Sequence, residues 1–253
     1  MPVKLYVIPA SHPSLAAELM LRHKGVAYDR RDLIGALHKP VLRALGFPGT
    51  TVPAMRLDGR RVQGSRRIAR ALDALAPEPA LFPSDPQQRT RVEKAERWGD
   101  ETLQPVPRRL AWWAIDRDRS SVREFLEGYR LGVPKSLAAA TAGPVIAVAV
   151  RYNRATDENV RADLAALPEL IDHVDSLIGE GVIGAEQPNA ADFQIATSVR
   201  LLLLFDDLQP LLEGRPAAEH ALRIAPHARG RFPGVFPPNW LPDGVSRARA
   251  RPS

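Results

Sequence analysis

The amino-terminal third of the chain alternates short apolar runs with amphipathic stretches, which is typical of a mixed α/β domain. Residues 4–8 are almost continuously apolar and end at Pro9, so they predict a short strand buried on both faces. Helical and strand-like spacing of the next apolar positions predicts a helix, a strand and a short helix over residues 11–24, 26–32 and 38–45. This part of the chain therefore opens with a βαβ unit.

A hairpin and a helix follow. Met55 and Leu57 alternate with polar neighbours, and Asp58-Gly59 supplies residues that tolerate a positive φ, so a tight turn joins two strands here. Pro53 cannot donate a ladder hydrogen bond and is expected just before the first of these strands, with the backbone of Val52 facing a ligand. Ser65 is predicted to cap a helix whose apolar residues share one face.

Beyond residue 76 the strand signals vanish. Three prolines in residues 76–83 indicate a linker, and Asp85-Pro86 predicts the start of a long helix that continues to about Trp113. Prolines at 105 and 107 are expected to kink it. Further helices are predicted over residues 121–131, 134–152, 157–179, 189–205 and 216–224, followed by a proline-rich segment over 232–242. The stretch 137–150 predicts a buried, broken helix, and Asn189 with Asp192 predicts a capping box at the start of a central helix.

The amino-acid composition excludes some kinds of chemistry for this chain. The 253 residues include 45% apolar residues and no cysteine, so the chain can build a sizeable core but has no disulfide and no thiol of its own. Any reacting thiol must arrive with the ligand. The net charge is +6, yet the arginines are scattered and cluster only in residues 247–251, which favours a solvated basic tail over a nucleic-acid-binding arm.

No membrane or secretion signal is visible. The longest apolar stretch is shorter than the roughly 20 residues that a membrane span needs, and the amino terminus lacks the apolar core of a signal peptide. We therefore expect a soluble, cytoplasmic protein. No metal site is expected, because the six histidines show no ligand spacing with each other or with carboxylates. Residues 179–184 match G-x-G-x-x-G, but they follow a helix rather than a strand, so no dinucleotide site is inferred.

The run Val52-Pro53-Ala54-Met55, followed by Gly64-Ser65 and Ile68, resembles the cis-proline and serine signature of glutathione S-transferases. The resemblance covers almost the whole chain. It implies a thioredoxin-like domain over residues 1–77, a linker over 78–86, an all-helical domain over 87–242 and a disordered basic tail over 243–253. This agrees with the α/β plus all-α organisation read from the periodicity. It also implies a homodimer, with glutathione as co-substrate and no tightly bound cofactor.

The resemblance assigns a glutathione site. It implies that Val52, before Pro53, pairs with the cysteinyl unit through its backbone, and that Ser65 holds the γ-glutamyl carboxylate at a helix start, where free N–H groups favour an anion. His38 and Lys39 fall where the family places a basic partner of the glycyl carboxylate. Gly64 replaces the usual Glu or Gln, so the amino end of the peptide lacks its partner. Gln63, Arg66 and Arg67 are candidates to compensate.

Three residues at the start of the first predicted helix are candidates to contact the sulfur. Ser11 is the first choice because it lies in the loop where the family carries such a residue, and a hydroxyl there stabilises a thiolate by donating a hydrogen bond. Ser14 and His12 are the alternatives, and Ser11 is also a candidate helix cap without a catalytic role. Trp98, Trp112 and Trp113 form a candidate pocket for an apolar electrophile, with core packing or dimer contact as the other interpretation.

These observations predict a protein that conjugates the glutathione thiolate to an apolar electrophile. Two alternatives remain open at this stage: a transferase-like binding or scaffold protein without catalysis, and an enzyme that uses another low-molecular-weight thiol. The absence of a side chain at Gly64 favours both alternatives.

Overall fold

The computed structural model describes residues 3–35, 37–128, 134–228 and 230–242. Its amino-terminal part is a four-stranded sheet flanked by three helices. The strands are β1 (Val3–Val7), β2 (Tyr28–Asp32), β3 (Ala54–Leu57) and β4 (Arg60–Gln63), and the helices are α1 (His12–His23), α2 (His38–Ala44) and α3 (Ser65–Leu75).

The sheet has the order β2-β1-β3-β4. β1 runs parallel to β2, with Val3 opposite Tyr28, and antiparallel to β3, with Leu5 opposite Met55. β3 and β4 form the predicted hairpin through the turn at Asp58 and Gly59, which both have positive φ. This βαβ unit followed by a ββα unit is the thioredoxin-like topology, so the predicted fold of the amino-terminal part is confirmed.

The rest of the described chain is helical. The helices are α4 (Pro86–Trp98), α5 (Pro105–Arg117), α6 (Val122–Phe125), α7 (Lys135–Ala140), α8 (Gly143–Asn153), α9 (Asp157–Gly179), α10 (Ala190–Leu202), α11 (Gln209–Leu212) and α12 (Pro216–Ile224). Short 3₁₀ turns lie at Asp206–Leu208 and Pro238–Trp240. Helix α10 is buried along almost its whole length and packs on α1, α4 and α12, so it joins the two parts of the fold. No helix in the described ranges is both long and apolar enough to cross a bilayer.

The predicted long helix after the linker is interrupted. A π-helical turn, Gly99–Leu103, separates α4 from α5, and the N–H of Gln104 donates to the carbonyl of Gly99 at 2.9 Å. Proline at 105 and 107 lacks the N–H that a regular α-helix would use, so the break lies just before the predicted kink. A Cβ on Gly99 would come within 2.8 Å of the Ile195 side chain, so glycine lets the turn lie directly against α10.

Two helical predictions need correction. The 137–150 stretch is broken as predicted, into α7 and α8, but it is not buried, because Leu137 and Val148 are more than half exposed and only Ile146 of α8 is buried. The helix predicted over 121–131 shortens to Val122–Phe125, and its last residues lie outside the described ranges. The predicted disordered tail, 243–253, also lies outside them.

The proline-rich segment before residue 242 is packed against the helices. The ring of Phe232 stacks on Phe205 at 4.2 Å between centroids, and Phe236 stacks on Trp113 at 5.5 Å. Phe232, Phe236 and Leu241 are all buried. The aromatic side chains therefore compensate for a backbone that makes few regular hydrogen bonds.

The capping box of α10 is present as predicted. The Asn189 side chain accepts from the N–H of Asp192, and one Asp192 carboxylate oxygen accepts from the N–H of Asn189 at 2.7 Å. The other Asp192 oxygen accepts from Gly184 N–H at 2.7 Å and lies 3.1 Å from Nε2 of His220. Asp192 is fully buried, and its carboxylate accepts from two backbone N–H groups while lying beside the buried His220 imidazole.

We expect Asp192→Ala to lower the free energy of unfolding by about 2–4 kcal/mol, since it leaves several buried donors unpaired. Asp85→Ala is the matched control, because Asp85 caps α4 through one bond to Gln88 N–H at an exposed site and its loss costs about 1 kcal/mol. Urea unfolding of both variants measures the difference. Equal losses would contradict the role given to Asp192.

Candidate functional site

A cleft of about 500 Å³ opens where the start of α1, the loop before β3, the start of α3 and the π-helical turn with α5 come together. Its lining is mostly polar and includes four arginines. The lining residues are Pro13, Thr51, Val52, Pro53, Gln63, Gly64, Ser65, Arg66, Arg67, Arg70, Asp100, Gln104 and Arg108. Five predicted site residues, Val52, Pro53, Gly64, Ser65 and Arg66, thus share one cavity.

The loop before β3 presents an unpaired peptide edge to this cleft. The Val52–Pro53 bond is cis, and the sheet pairing of β3 with β1 begins only at Ala54. The Pro53 carbonyl accepts from Gly64 N–H at 2.9 Å. Among the described residues, neither the N–H nor the carbonyl of Val52 has a hydrogen-bond partner, so both are available to an extended ligand.

The buried side chain of Gln63 holds this loop in place. Its Nε2 donates to the carbonyl of Thr51 at 2.6 Å, and its Oε1 accepts from the N–H of Gly49 at 2.8 Å. Both ends of the amide are therefore used within the protein. Gln63 is thus part of the loop's support, and its role as a substitute for the missing residue at position 64 stays a prediction.

Helix α3 begins one residue earlier than expected. Gly64 is the N-cap, and Ser65 is the first helical residue. The Ser65 hydroxyl does not cap the helix but donates to Oε1 of Gln194 on α10 at 2.7 Å, with both side chains buried. The first backbone N–H groups of α3 lack helical acceptors and lie at the cleft, which makes this end of the helix suited to an anion.

The backbone explains why residue 64 is glycine. Gly64 has φ +89° and ψ 143°, a conformation close to one that only glycine adopts readily. A Cβ at this position would meet no atom within 4 Å. Steric space is therefore available, but a Glu side chain here would carry a backbone penalty of about 1–3 kcal/mol.

The three sulfur-contact candidates differ in access. Ser11 is the N-cap of α1, and its Oγ accepts from both the N–H and the hydroxyl of Ser14, at 3.3 and 2.9 Å. Ser14 and His12 are buried, whereas Ser11 is partly exposed. Because its oxygen accepts two bonds, the Ser11 hydroxyl proton remains to be donated outward. Pro13, two residues on, lines the cleft.

His12 is a buried neutral imidazole. Burial and, to a smaller degree, the nearby charge of Arg108 lower its pKa to about 3, although a hydrogen bond with the backbone of Gln104 opposes the shift. Its Nε2 is buried and has no partner among the described residues. An imidazole with so low a pKa does not serve as a general base near neutral pH.

The arginines of the cleft fall into two groups. Arg70 donates to the buried Glu96 at 2.8 Å, and Arg66 lies between Glu96 at 3.7 Å and Glu101 at 3.2 Å. Burial raises the pKa of Glu96, and the two arginines oppose that shift. Arg67 and Arg108 make no ion pair within the described part of the chain. The predicted ligand contact Arg66 is therefore already neutralised, and the uncompensated cations are its neighbours.

Eight predicted site residues are not in the lining of this cleft: Ser11, His12 and Ser14 at the start of α1, and five residues farther along the chain. The Lys39 ammonium lies 4.4 Å from the centre of the Tyr152 ring, and His38 Nδ1 contacts the carbonyl of Gly35. Trp113 lies in the core, where its Nε1 donates to Asp157 at 2.9 Å. Trp98 packs edge-on against His173, and Trp112 is partly buried against the core. The expected aromatic pocket is therefore absent from the lining of this cleft.

The polar wall opposite Val52 was not predicted. Asp100, Gln104 and Arg108 are spaced four residues apart and face the cleft from the π-helical turn and α5. Gln104 links them, because its Nε2 donates to Asp100 at 3.0 Å and its Oε1 accepts from Arg108 at 3.1 Å. The polar i, i+4, i+8 series of Asp100, Gln104 and Arg108 was the available signal.

Comparison with known families gives a match for the amino-terminal part. Residues 5–80 match the model of the glutathione S-transferase N-terminal domain. A comparison with curated proteins found no match.

Solved structures extend the likeness to the helical part. A glutathione S-transferase from Rhodospirillum rubrum F11 has 16% identity and a TM-score of 0.60, covering 89% of this chain and 88% of that one. One from Sinorhizobium meliloti 1021 has 18% identity and a TM-score of 0.60, with coverage of 90% and 89%. A maleylacetoacetate isomerase from Anaeromyxobacter dehalogenans 2CP-1, with glutathione bound, has 20% identity and a TM-score of 0.54, covering 88% and 89%. The TM-scores show a shared fold.

The low pKa of His12 in the folded protein predicts how the free energy of unfolding depends on pH. In the unfolded chain His12 takes up a proton near pH 6.5, whereas in the folded protein it does so only near pH 3. Between these two values the free energy of unfolding therefore falls by about 1.4 kcal/mol for each unit by which the pH drops. Relative to wild type, His12→Gln should lose about 2 kcal/mol less between pH 7 and 5. Urea unfolding at several pH values tests this, with exposed His227→Gln as the control. Parallel curves for wild type and His12→Gln would refute it.

Proposed function

Because residues 5–80 match the glutathione S-transferase N-terminal domain, we propose that the protein binds glutathione in the cleft and adds its thiolate to an electrophile. The observation that carries this proposal is the edge formed by Val52 beside the start of α3. An unpaired N–H and carbonyl pair with an extended peptide, as a neighbouring strand would. The positive end of α3 lies next to that edge and receives a carboxylate.

The thiol of such a ligand would be activated at the start of α1. A peptide that pairs with Val52 and places its γ-glutamyl carboxylate at Ser65 directs its cysteinyl side chain toward Pro13 and Ser11. The Ser11 hydroxyl donates to the thiolate, and the positive end of α1 lowers the thiol pKa further. With no cysteine in the chain, the bound thiolate is the nucleophile and the protein supplies orientation and charge stabilisation.

The wider properties of the family enter the proposal as well. We take glutathione as a dissociable co-substrate, consistent with the glutathione-bound isomerase of the same fold. A homodimer, a cytoplasmic location and a role in detoxification follow from the family resemblance alone. Glutathione titration by calorimetry is the first test, and absence of binding at millimolar concentration would refute the proposed co-substrate.

Gly64 supports a second candidate function. Glycine at position 64 has no side chain that could reach the amino end of a γ-glutamyl ligand, and the Ser65 hydroxyl donates its hydrogen bond to Gln194. Both features suit either a low-molecular-weight thiol without that amino group or a transferase-like binding protein without catalysis. Replacing Gly64 by Glu is a poor test, because the positive φ penalises any side chain there.

Ser11→Ala should lower kcat/KM for conjugation by about 100-fold, as expected when one donor to a reacting anion is lost. Removing the cap of α1 should cost only about 1 kcal/mol of stability. The ultraviolet absorbance of bound thiolate should fall in parallel with the rate. Ser14→Ala is the control, since Ser14 is buried and contacts the reacting group only through Ser11. An unchanged rate in Ser11→Ala would remove Ser11 from the mechanism.

Trimmed peptides test the orientation. Cysteinylglycine lacks the γ-glutamyl unit that we place at α3, whereas γ-glutamylcysteine lacks only the glycyl unit, whose predicted partners His38 and Lys39 do not line the cleft. Loss of the γ-glutamyl unit should weaken binding by at least 10-fold more than loss of the glycyl unit, as for a lost hydrogen bond to a charged group. Calorimetric titration compares the two. The opposite order would indicate the reversed peptide or another thiol.

A further inference from the structure

Arg108 is a cation in a sheltered position, and it pairs with no carboxylate in the part of the chain that the structure describes. It is partly buried, its Nε is buried without an acceptor, and its Nη1 donates only to the neutral Gln104 amide at 3.1 Å. Burial lowers its pKa, Tyr152 and Asp100 oppose the shift, and Arg109 adds to it. Sheltering a guanidinium from water without a carboxylate is unfavourable, and a protein usually keeps such a group where a ligand completes it.

The neighbouring arginines, in contrast, contact carboxylates. Arg66 and Arg70 contact Glu96 and Glu101, and Arg109, next in sequence, donates to Asp163. Asp100 faces the same cleft, but it accepts from Gln104 and lies 3.8 Å from Arg66. Arg108 thus lines the cleft without a carboxylate partner among the described residues, so an occupant of the cleft can supply the acceptor.

The position of Arg108 indicates which part of the occupant it meets. Arg108 is close enough to His12 to act on its charge, and His12 directly follows Ser11. The start of α3, with Arg67, serves the γ-glutamyl carboxylate in the proposed function. From its closeness to His12 we therefore place Arg108 near the point where the sulfur meets its reaction partner.

We propose that the second substrate is an electrophile bearing a carboxylate, and that Arg108 binds this carboxylate through its guanidinium fork. This rests on the proposed function and replaces the apolar electrophile expected from the tryptophans. A planar fork matches a carboxylate in a way that a single point charge does not. Holding the carboxylate fixes the electrophilic carbon against the thiolate, so Arg108 contributes to orientation as well as affinity.

A matched pair of substrates tests this: 4-chloro-3-nitrobenzoate and its neutral amide, 4-chloro-3-nitrobenzamide. In both, the thiolate sulfur attacks the carbon bearing chlorine, a C–S bond forms, and the C–Cl bond breaks with chloride leaving as the anion. The thiol proton goes to solvent. The two compounds differ mainly in the charge of the group across the ring, so their ratio of kcat/KM reports recognition of that charge.

In the wild-type protein the acid should be preferred once each rate is divided by its uncatalysed rate. Arg108→Gln should lower the acid-to-amide ratio by about 10–100-fold, the range for a lost hydrogen bond to a charged group. Arg108→Lys should give an intermediate ratio. Arg97→Gln is the control, because it removes the same charge from an exposed site outside the cleft and should leave the ratio unchanged.

The outcomes separate the possible failures. Conjugation of neither compound would refute the proposed function, whereas conjugation of both with a ratio insensitive to Arg108 would refute only the carboxylate site. Weaker binding of glutathione but not of γ-glutamylcysteine in Arg108→Gln would assign Arg108 to the glycyl carboxylate. A raised pKa of the bound thiol with an unchanged ratio would assign it to the thiolate. Both results overturn the proposal.

A measurement on the unmodified protein covers the case in which the variants do not fold. Competitive inhibition by 4-nitrobenzoate should be at least 10-fold stronger than by 4-nitrobenzamide, for the same reason of charge recognition. The preference should weaken with added salt, since a partly exposed ion pair is screened. Equal inhibition by the two compounds would refute the carboxylate site.

Discussion

The buried amide of Gln63 is the contact on which the cleft depends. It ties the N–H of Gly49 to the carbonyl of Thr51, so the loop before β3 is held although it pairs with no strand. Pro53 then joins the sheet through its carbonyl, and Val52 is left with an N–H and a carbonyl that face solvent. An internal polar contact of this kind, satisfied at both ends, keeps a binding edge rigid before any ligand arrives.

The second wall of the cleft depends on helix α10. Its capping box fixes where it begins, its apolar faces pack on α1, α4 and α12, and its Gln194 accepts from Ser65 at the start of α3. Gly99 allows the π-helical turn to lie against α10, and that turn carries Asp100 toward the cleft. The same buried helix therefore positions both the peptide-binding edge and the charged wall opposite it.

The charged residues of the cleft favour a different second substrate from the apolar one that the sequence predicted. The tryptophans that suggested an apolar pocket pack in the core or against it. The cleft instead has four arginines, and two of them form no ion pair within the described residues. The predicted partners of the glycyl carboxylate, His38 and Lys39, have contacts of their own outside the lining. A polar cleft fits a small charged electrophile better than a large apolar one, because buried polar groups need partners.

The sequence alone determined the order of strands and helices, the corner at Val52-Pro53 and the capping box of α10, because turn residues, proline and apolar spacing act over a few neighbouring positions. It also placed Ser11 at a helix start. Tertiary structure decided the rest. The Ser65 hydroxyl donates to a residue 129 positions away, and the exposed helices α7 and α8 have apolar residues that the local pattern assigned to the interior. Arg108 lines the cleft from α5, which follows a π-helical turn that the sequence did not predict. Which polar side chains meet depends on how helices pack, and packing is set by contacts far apart in the chain.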